Sequence, residues 1–324
     1  MRKLTLAIES WKTKKPFHIT GRVFDVVDFL YVEIEEGGYI GRGEAAGIYY
    51  FGETGDSILA DAEQLQSDIQ NGLSKEQLHH KLGVGGARNA LDCALWDLQA
   101  KQTGQSIWQL TNLSMKPVHT VNTLGIDSAK NMAASAKLLD TSIIKIKLDA
   151  EQPIERMRAV YQARPDARFV VDINQGWNFG ELVNYAPELK SLGVMMIEQP
   201  LPRGADSELE GYDCPIDLCA DESCIASHEV TDMLNRYQMI NIKLDKTGGL
   251  SEALKTAETA RQHGLKLMVG NMLGTSLSMA PAFVIAQLCE FVDIDGPVLL
   301  ADDRGHKMDF SGGNVTGFSC KLWG

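Results

Sequence analysis

The chain has 324 residues, enough for two domains or one large α/β barrel. Hydrophobic residues make up 44% and charged residues 23%, the balance of a globular protein and not of a disordered one. A net charge of −12 with no long Lys/Arg run argues against a nucleic-acid or anionic-membrane binder, and no uncharged apolar stretch of about 18 residues offers a membrane span.

The chain begins as an antiparallel sheet. Leu4, Leu6 and Ile8 alternate, a longer strand runs from about Val23 to Ile34, and Gly37-Gly38 is a dipeptide that tight hairpins prefer. The aromatic, glycine-rich stretch 48–55 reads as a loop, either a lid over a site or aromatic packing. A helix is expected over 56–71, stopped by Gly72, with Ser74 capping a short helix after it. Residues 86–103 carry the clearest helical stripe, Ala90, Leu91, Ala94, Leu95 and Leu98.

After Pro117 the texture changes. Short apolar runs at 118–124, 143–148, 168–173, 194–198, 215–220, 238–244, 265–270 and 291–294 are separated mostly by helical patterns. Eight strands joined by helical crossovers predict a parallel β/α barrel, with one helix missing or shortened to fit so compact a span. The division expected is an α+β domain over 1–116, a barrel over 117–295 and a C-terminal segment over 296–324. Met195, Met196, Met268 and Met272 are expected in the barrel core, and Trp177 in packing. Six cysteines form no C-x-x-C pair, and Cys214, Cys219 and Cys224 lack the spacing and the histidine of a zinc site. Reduced thiols in a cytoplasmic protein are the expectation.

The strand ends carry the chemistry. Lys145 and Lys147 stand on strand two, Asp172 ends strand three, Glu198 strand four and Asp221 strand five, Lys243 is on strand six, and Asp293 and Asp295 are on strand eight. From Lys147 to Lys243 these groups recur 25, 26, 23 and 22 residues apart, about one β/α unit each. They therefore return to the C-terminal ends of successive strands, where barrels of this type place their active sites. Alone, an Asp after a strand is ordinarily a helix cap and a Lys there a solvated charge. Five consecutive units with such residues are another matter.

Three converging carboxylates repel one another unless a hard divalent cation joins them, and oxygen ligands favour Mg²⁺ or Mn²⁺ over zinc. A substrate carboxylate on that cation would have its developing enolate charge stabilised. Lys147 and Lys243 then flank an α-carbon, one removing its proton as the neutral amine and the other returning a proton as ammonium. Lys145 beside Lys147 would help to lower its pKa. That chemistry is racemisation or epimerisation.

The motifs KIK (145–147), VDIN (171–174), IEQP (197–200), ADES (220–223) and NIKLDKTGG (241–249), with GRGEA (41–45) and GGARNALDCALWDLQAKQTGQS (85–106), resemble the enolase superfamily, and within it the muconate-lactonizing subgroup. This resemblance implies an α+β capping domain over a (β/α)7β barrel. It also implies one Mg²⁺ per subunit on Asp172, Glu198 and Asp221, an acid/base pair in Lys147 and Lys243, and Asn174 and Glu222 beside the metal ligands. Asp293-Ile-Asp295 resembles the D-x-D pair with which dipeptide epimerases bind an α-ammonium group; a turn-forming pair before Gly296-Pro297 is the other reading. Arg22, in HITGRVF, lies near where such epimerases place an arginine on the substrate's glutamate side chain, or it is an exposed arginine without a ligand. The function implied is epimerisation of a dipeptide, L-Ala-D/L-Glu foremost, in murein peptide metabolism. The alternatives are o-succinylbenzoate synthesis, N-acylamino acid racemisation, muconate cycloisomerisation, an epimerase for another dipeptide, or a non-catalytic ligand-binding protein. The expected partner is a small molecule, with no nucleic acid and no membrane, and assembly of identical copies is left open.

Overall fold

A computed structural model describes residues 2–324. Strands β1 (Lys3–Ile19), β2 (Arg22–Glu36) and β3 (Tyr39–Ala46) form an antiparallel sheet in that order. The β2–β3 hairpin turns on Gly37 and Gly38, at φ 62° and 84°, the left-handed pair that a two-residue turn of the right twist requires. Pairing of β1 with β2 slips between Lys12 and Phe17, and beyond that irregularity Phe17 and Ile19 turn into the central cavity.

The helix expected over 56–71 is interrupted. It runs as α1 (Gly55–Gln64) and a short piece, Gln66–Gln70, with Leu65 between them out of helical geometry, so that Ile58, Ala62, Leu65 and Ile69 all stay in the core. Helix α2 (Gly86–Thr103) has the predicted extent and is buried along most of its length between the sheet and the barrel. The glycines of GRGEA explain how closely it lies. A Cβ at Gly43 would stand 2.0 Å from the carbonyl oxygen of Ala90, and one at Gly41 2.1 Å from that of Ala94.

The second half is an eight-stranded parallel sheet in sequence order. Its strands are β5 (Asn122–Leu124), β6 (Ile143–Lys147), β7 (Arg168–Asp172), β8 (Val194–Glu198), β9 (Asp217–Ala220), β10 (Met239–Lys243), β11 (Lys266–Gly270) and β12 (Phe291–Val292). The Val121 amide donates to the Val292 carbonyl (2.9 Å), joining the first strand to the last and closing the barrel. The run at 118–124 is not one strand. Val118–His119, β4, leaves the barrel to pair antiparallel with β13 (Asn314–Val315) of the C-terminal segment. That segment then reaches back to α2, where the Trp323 indole donates to the Cys93 carbonyl.

Val170, Met196, Cys219, Met239 and Met268 fill the barrel floor, each fully buried. Met195 packs against them, whereas Met272, expected in the same core, lines the cavity above. Alternation along a strand is two residues, so two positions beyond Val170, Met196 and Cys219 the same inward face carries Asp172, Glu198 and Asp221. A hydrophobic floor thus carries a layer of charge. Among the described residues no helix is long and apolar enough to cross a membrane.

Candidate active site

Asp172 and Glu198 are neighbours in strand register, as are Lys147 and Asp172. All three carboxylates have no solvent exposure. Above them Lys145, Lys147, Lys243 and Asn174 form the floor of a cavity of about 290 Å³, with Asp293 and Asp295 at one side and Phe17, Ile19, Arg22, Phe24, Tyr49 and Tyr50 reaching over from the N-terminal half. The structure therefore brings the sequence-predicted residues to one mouth.

Lys145 Nζ is the hub, 3.0 Å from Asp172, 2.7 Å from Glu198 and 2.6 Å from Asp293. It thus joins the carboxylate layer to the last strand, a placement that adjacency to Lys147 alone did not reveal. Lys147 Nζ donates to Asp172 (2.5 Å) and Asn174 (3.0 Å), and Lys243 Nζ lies 2.6 Å from Asp221. Burial opposes ionisation of Asp172 and Asp221, but Lys145 and Lys147 around the first, and Lys243 and Lys246 around the second, hold both below the usual carboxylate range. Glu198 is pushed the other way, to about 7, by burial and then by Asp172. Reciprocally, Asp221 holds the Lys243 ammonium above its ordinary range against the effect of burial.

Among the described residues no three His, Cys, Asp or Glu side chains already surround one point, because each carboxylate is drawn onto a lysine. Glu198 Oε2 and Asp221 Oδ2 nevertheless accept no well-directed hydrogen bond, although an ammonium lies against each. Buried carboxylates are costly without a compensating cation, and here the lysine ammoniums supply that charge. Oxygen-only donors on three adjacent strands suit a hard ion such as Mg²⁺.

At the last strand, Asp293 is held by Lys145 and by Asn271, whose amide donates to its carbonyl (2.7 Å). Asp295 accepts from the Thr123 amide (2.7 Å), and burial followed by the facing Asp293 raises its carboxyl to about 8. Glu222 is raised to about 8 by burial and then by Asp221, and it accepts from Asn174 (3.4 Å). Arg22 is exposed at the cavity rim, its guanidinium 4.7 Å from the Tyr49 ring centre and 5.1 Å from that of Phe24. Trp177 is packing, with its indole on the Asp149 carbonyl and its ring against Tyr185.

The family description "Mandelate racemase / muconate lactonizing enzyme, N-terminal domain" matches residues 1–111, and "Enolase C-terminal domain-like" matches residues 127–316. The chain belongs to the enolase superfamily. An N-acetyl-D-glutamate racemase of a Pseudoalteromonas species is 42% identical over 83% of this chain and 87% of its own. The L-Ala-D/L-Glu epimerase of Escherichia coli K12 is 39% identical over 97% and 99%. A crystal structure of an enolase family member from Agrobacterium tumefaciens with homology to dipeptide epimerases, holding sodium and L-Ala-L-Glu, superposes with a TM-score of 0.98 at 37% identity, over all of both chains.

Several residues of this superfamily member were not singled out from sequence. Lys246, fully buried, donates to the Asp221 carboxylate (2.9 Å) and to the Asn241 carbonyl (2.7 Å). Its place three positions after Lys243 in NIKLDK was the available signal. Asn241 donates to Glu198 (2.8 Å), and the absence of a side chain at Gly270, where a Cβ would lie 2.6 Å away, leaves it room.

Gln199, at φ 35°, accepts from the amides of Asp221 and Ser223 and donates to Leu201, Ser223 and Tyr237. Tyr237 and Ser223 in turn donate to buried Asp206. This network fixes the backbone that carries Asp221. Tyr237→Phe is expected to cost about 1–3 kcal/mol, because it withdraws a donor from a buried carboxylate and an acceptor from Gln199. A lowered denaturation midpoint with an unchanged m-value is the result to look for, and an unchanged midpoint would refute it.

Asp245 ties the two halves together where loop 48–55 begins, accepting from the Ala46 amide (3.0 Å) and from Asn89 (3.1 Å). Glu53 pins the loop itself, accepting from the Ile48 and Gly86 amides. Burial raises the Asp245 carboxyl to about 7 against these two hydrogen bonds. The folded protein keeps that proton until about pH 7, whereas an unfolded Asp releases it near pH 4. The contribution of this group to stability is therefore complete below about pH 4 and falls as pH rises toward 7. Asp245→Asn keeps an acceptor and is expected to gain on the order of 2 kcal/mol over wild type between pH 4.5 and pH 8, read from denaturation at both pH values.

Proposed function

We propose that this enzyme is a Mg²⁺-dependent dipeptide epimerase that inverts the C-terminal residue of its substrate, with L-Ala-L-Glu and L-Ala-D-Glu as the leading pair. One observation carries the reading. Lys147 and Lys243, from strands on either side of the carboxylate layer, both open into a cavity whose far wall is the carboxyl pair Asp293 and Asp295.

In this reading Asp172, Glu198 and Asp221 hold the metal, with Asn174 and Glu222 beside them. When bound there, Mg²⁺ would supply Lewis-acid polarisation of the substrate carboxylate. Lys147 and Lys243 face opposite sides of the α-carbon; the neutral one accepts its proton and the charged one donates a proton from the other side. Asp293 and Asp295 receive the substrate ammonium, and Lys145 fixes Asp293. Arg22, braced on Tyr49 and Phe24, meets the glutamate side chain. A relative named L-Ala-D/L-Glu epimerase and a structural neighbour holding L-Ala-L-Glu support a cytoplasmic role in recycling cell-wall peptides.

Incubation with L-Ala-L-Glu and Mg²⁺ in D₂O is expected to place deuterium on the glutamate α-carbon and to yield the D-epimer. Absence of exchange across a dipeptide library would refute the proposal. The 42% identity to an N-acetyl-glutamate racemase, together with Lys145 already seated on Asp293, favours N-acylglutamate racemisation as the second reading. A kcat/KM for N-acetyl-L-glutamate above that for L-Ala-L-Glu would select it.

A further inference from the structure

Tyr50 stands at the cavity with its hydroxyl buried and without a hydrogen-bond partner among the described residues. Such an orphaned hydroxyl is retained at a cost unless another molecule completes it. Its ring has little freedom to turn away. It sits edge-on to Tyr49 at 5.1 Å and to Phe51 at 4.8 Å, within a single helical turn, Tyr49–Phe51. Glu53 closes the loop below that turn through the Ile48 amide.

The charged groups that act most strongly on Tyr50 are Asp221 and Glu222, on the Lys243 side of the floor. Asp293 and Asp295 belong to the other side, reached through Lys145. In the functional reading above the substrate's amino end lies at Asp293 and Asp295 and its α-carboxylate over the Asp172, Glu198 and Asp221 layer, inside the cavity that Tyr50 lines. Burial keeps the phenol protonated well beyond neutral pH, so its O–H is available to donate.

We propose that Tyr50 is a substrate-binding residue, its hydroxyl donating a hydrogen bond to an α-carboxylate oxygen of the substrate. This rests on the epimerase-or-racemase reading above but not on the choice between dipeptide and N-acylglutamate, since both carry that carboxylate. The bond strengthens as negative charge moves from the α-carbon onto the carboxylate oxygens, so it contributes to kcat as well as to binding.

Tyr50→Phe removes the hydroxyl and keeps the ring stack. The variant is expected to lose about 10- to 100-fold in kcat/KM with both L-Ala-L-Glu and N-acetyl-L-glutamate, part of it in kcat. Without ligand its Tm should equal or exceed that of wild type, because an unsatisfied buried donor has been removed, while the Tm rise produced by L-Ala-L-Glu with Mg²⁺ shrinks. An active wild type beside a variant within twofold of it overturns this inference alone. A Tm loss of several degrees in the ligand-free variant also overturns it, since the hydroxyl would then be structural. A wild type silent towards both substrates overturns the functional reading, and this inference with it.

Discussion

Lys147→Ala and Lys243→Ala are each expected to lower turnover about 10²- to 10⁴-fold, and to do so with opposite stereochemical signatures. Each lysine reaches the cavity from its own side, Lys147 beside Asp172 and Asn174, Lys243 beside Asp221. Removing one leaves the other able to exchange the α-proton of a single epimer with solvent. In D₂O, one variant should wash deuterium into the L-glutamyl substrate only and the other into the D-glutamyl substrate only, while net inversion is lost in both. Loss of exchange from both epimers in both variants would show that the lysines act together and not on separate faces. Retention of inversion in either would remove that lysine from the chemistry. Folding needs its own check by circular dichroism, because each substitution strips a buried carboxylate of an ammonium. Lys145 still faces Asp172 and Lys246 still faces Asp221, which limits that penalty.

Asp295→Asn is expected to separate the two substrate classes. The carboxyl pair at the last strand is short of positive charge, since of the two Lys145 meets Asp293, while Asp295 accepts from the Thr123 amide and shares a hydrogen bond with Asp293. A substrate ammonium seated there compensates the charge that Asp295 takes on when it gives up its proton, and a charge-assisted bond of this kind corresponds to about 10- to 100-fold in affinity. The variant should therefore lose about that much kcat/KM for L-Ala-L-Glu and stay within about threefold for N-acetyl-L-glutamate. Equal losses would assign the pair a structural task. The pH profile carries the same information. Asp295 holds its proton up to about 8 in the free protein and must release it to accept an ammonium. The kcat/KM for the dipeptide should accordingly climb as pH approaches 8 and fall once the substrate amine, with a pKa near 8, deprotonates. N-acetyl-L-glutamate carries no such amine and should show no rise from this group.

Much of this arrangement is legible in the sequence, for particular reasons. Barrel strands are short and recur at nearly even spacing, so Lys147, Asp172, Glu198, Asp221 and Lys243 reveal their shared level by arithmetic alone. Helix α2 declared itself by a long uninterrupted stripe ended by a glycine. Where the reading went astray, the missing information was non-local. Val118–His119 looks like the start of a barrel strand, but a partner almost two hundred residues away draws it into another sheet. Met272 is as apolar as Met268, yet two or more positions past the strand end it faces the cavity. The break at Leu65 serves the core behind it and leaves no local signal of the glycine or proline kind.

By itself, then, the sequence determined the chain's class, the order of its elements and the types of charge that meet at the barrel mouth. Those follow from periodicity and spacing, which are properties of neighbours along the chain. Only the tertiary structure decided which charges pair. Lys145 spans three carboxylates from three β/α units, Gln199 supports the backbone of the next strand, and the Tyr50 hydroxyl lacks a partner among the described residues. Each of these depends on distances between residues far apart in sequence. Electrostatics and hydrogen bonding change over an ångström, a scale on which residue type and spacing carry no information.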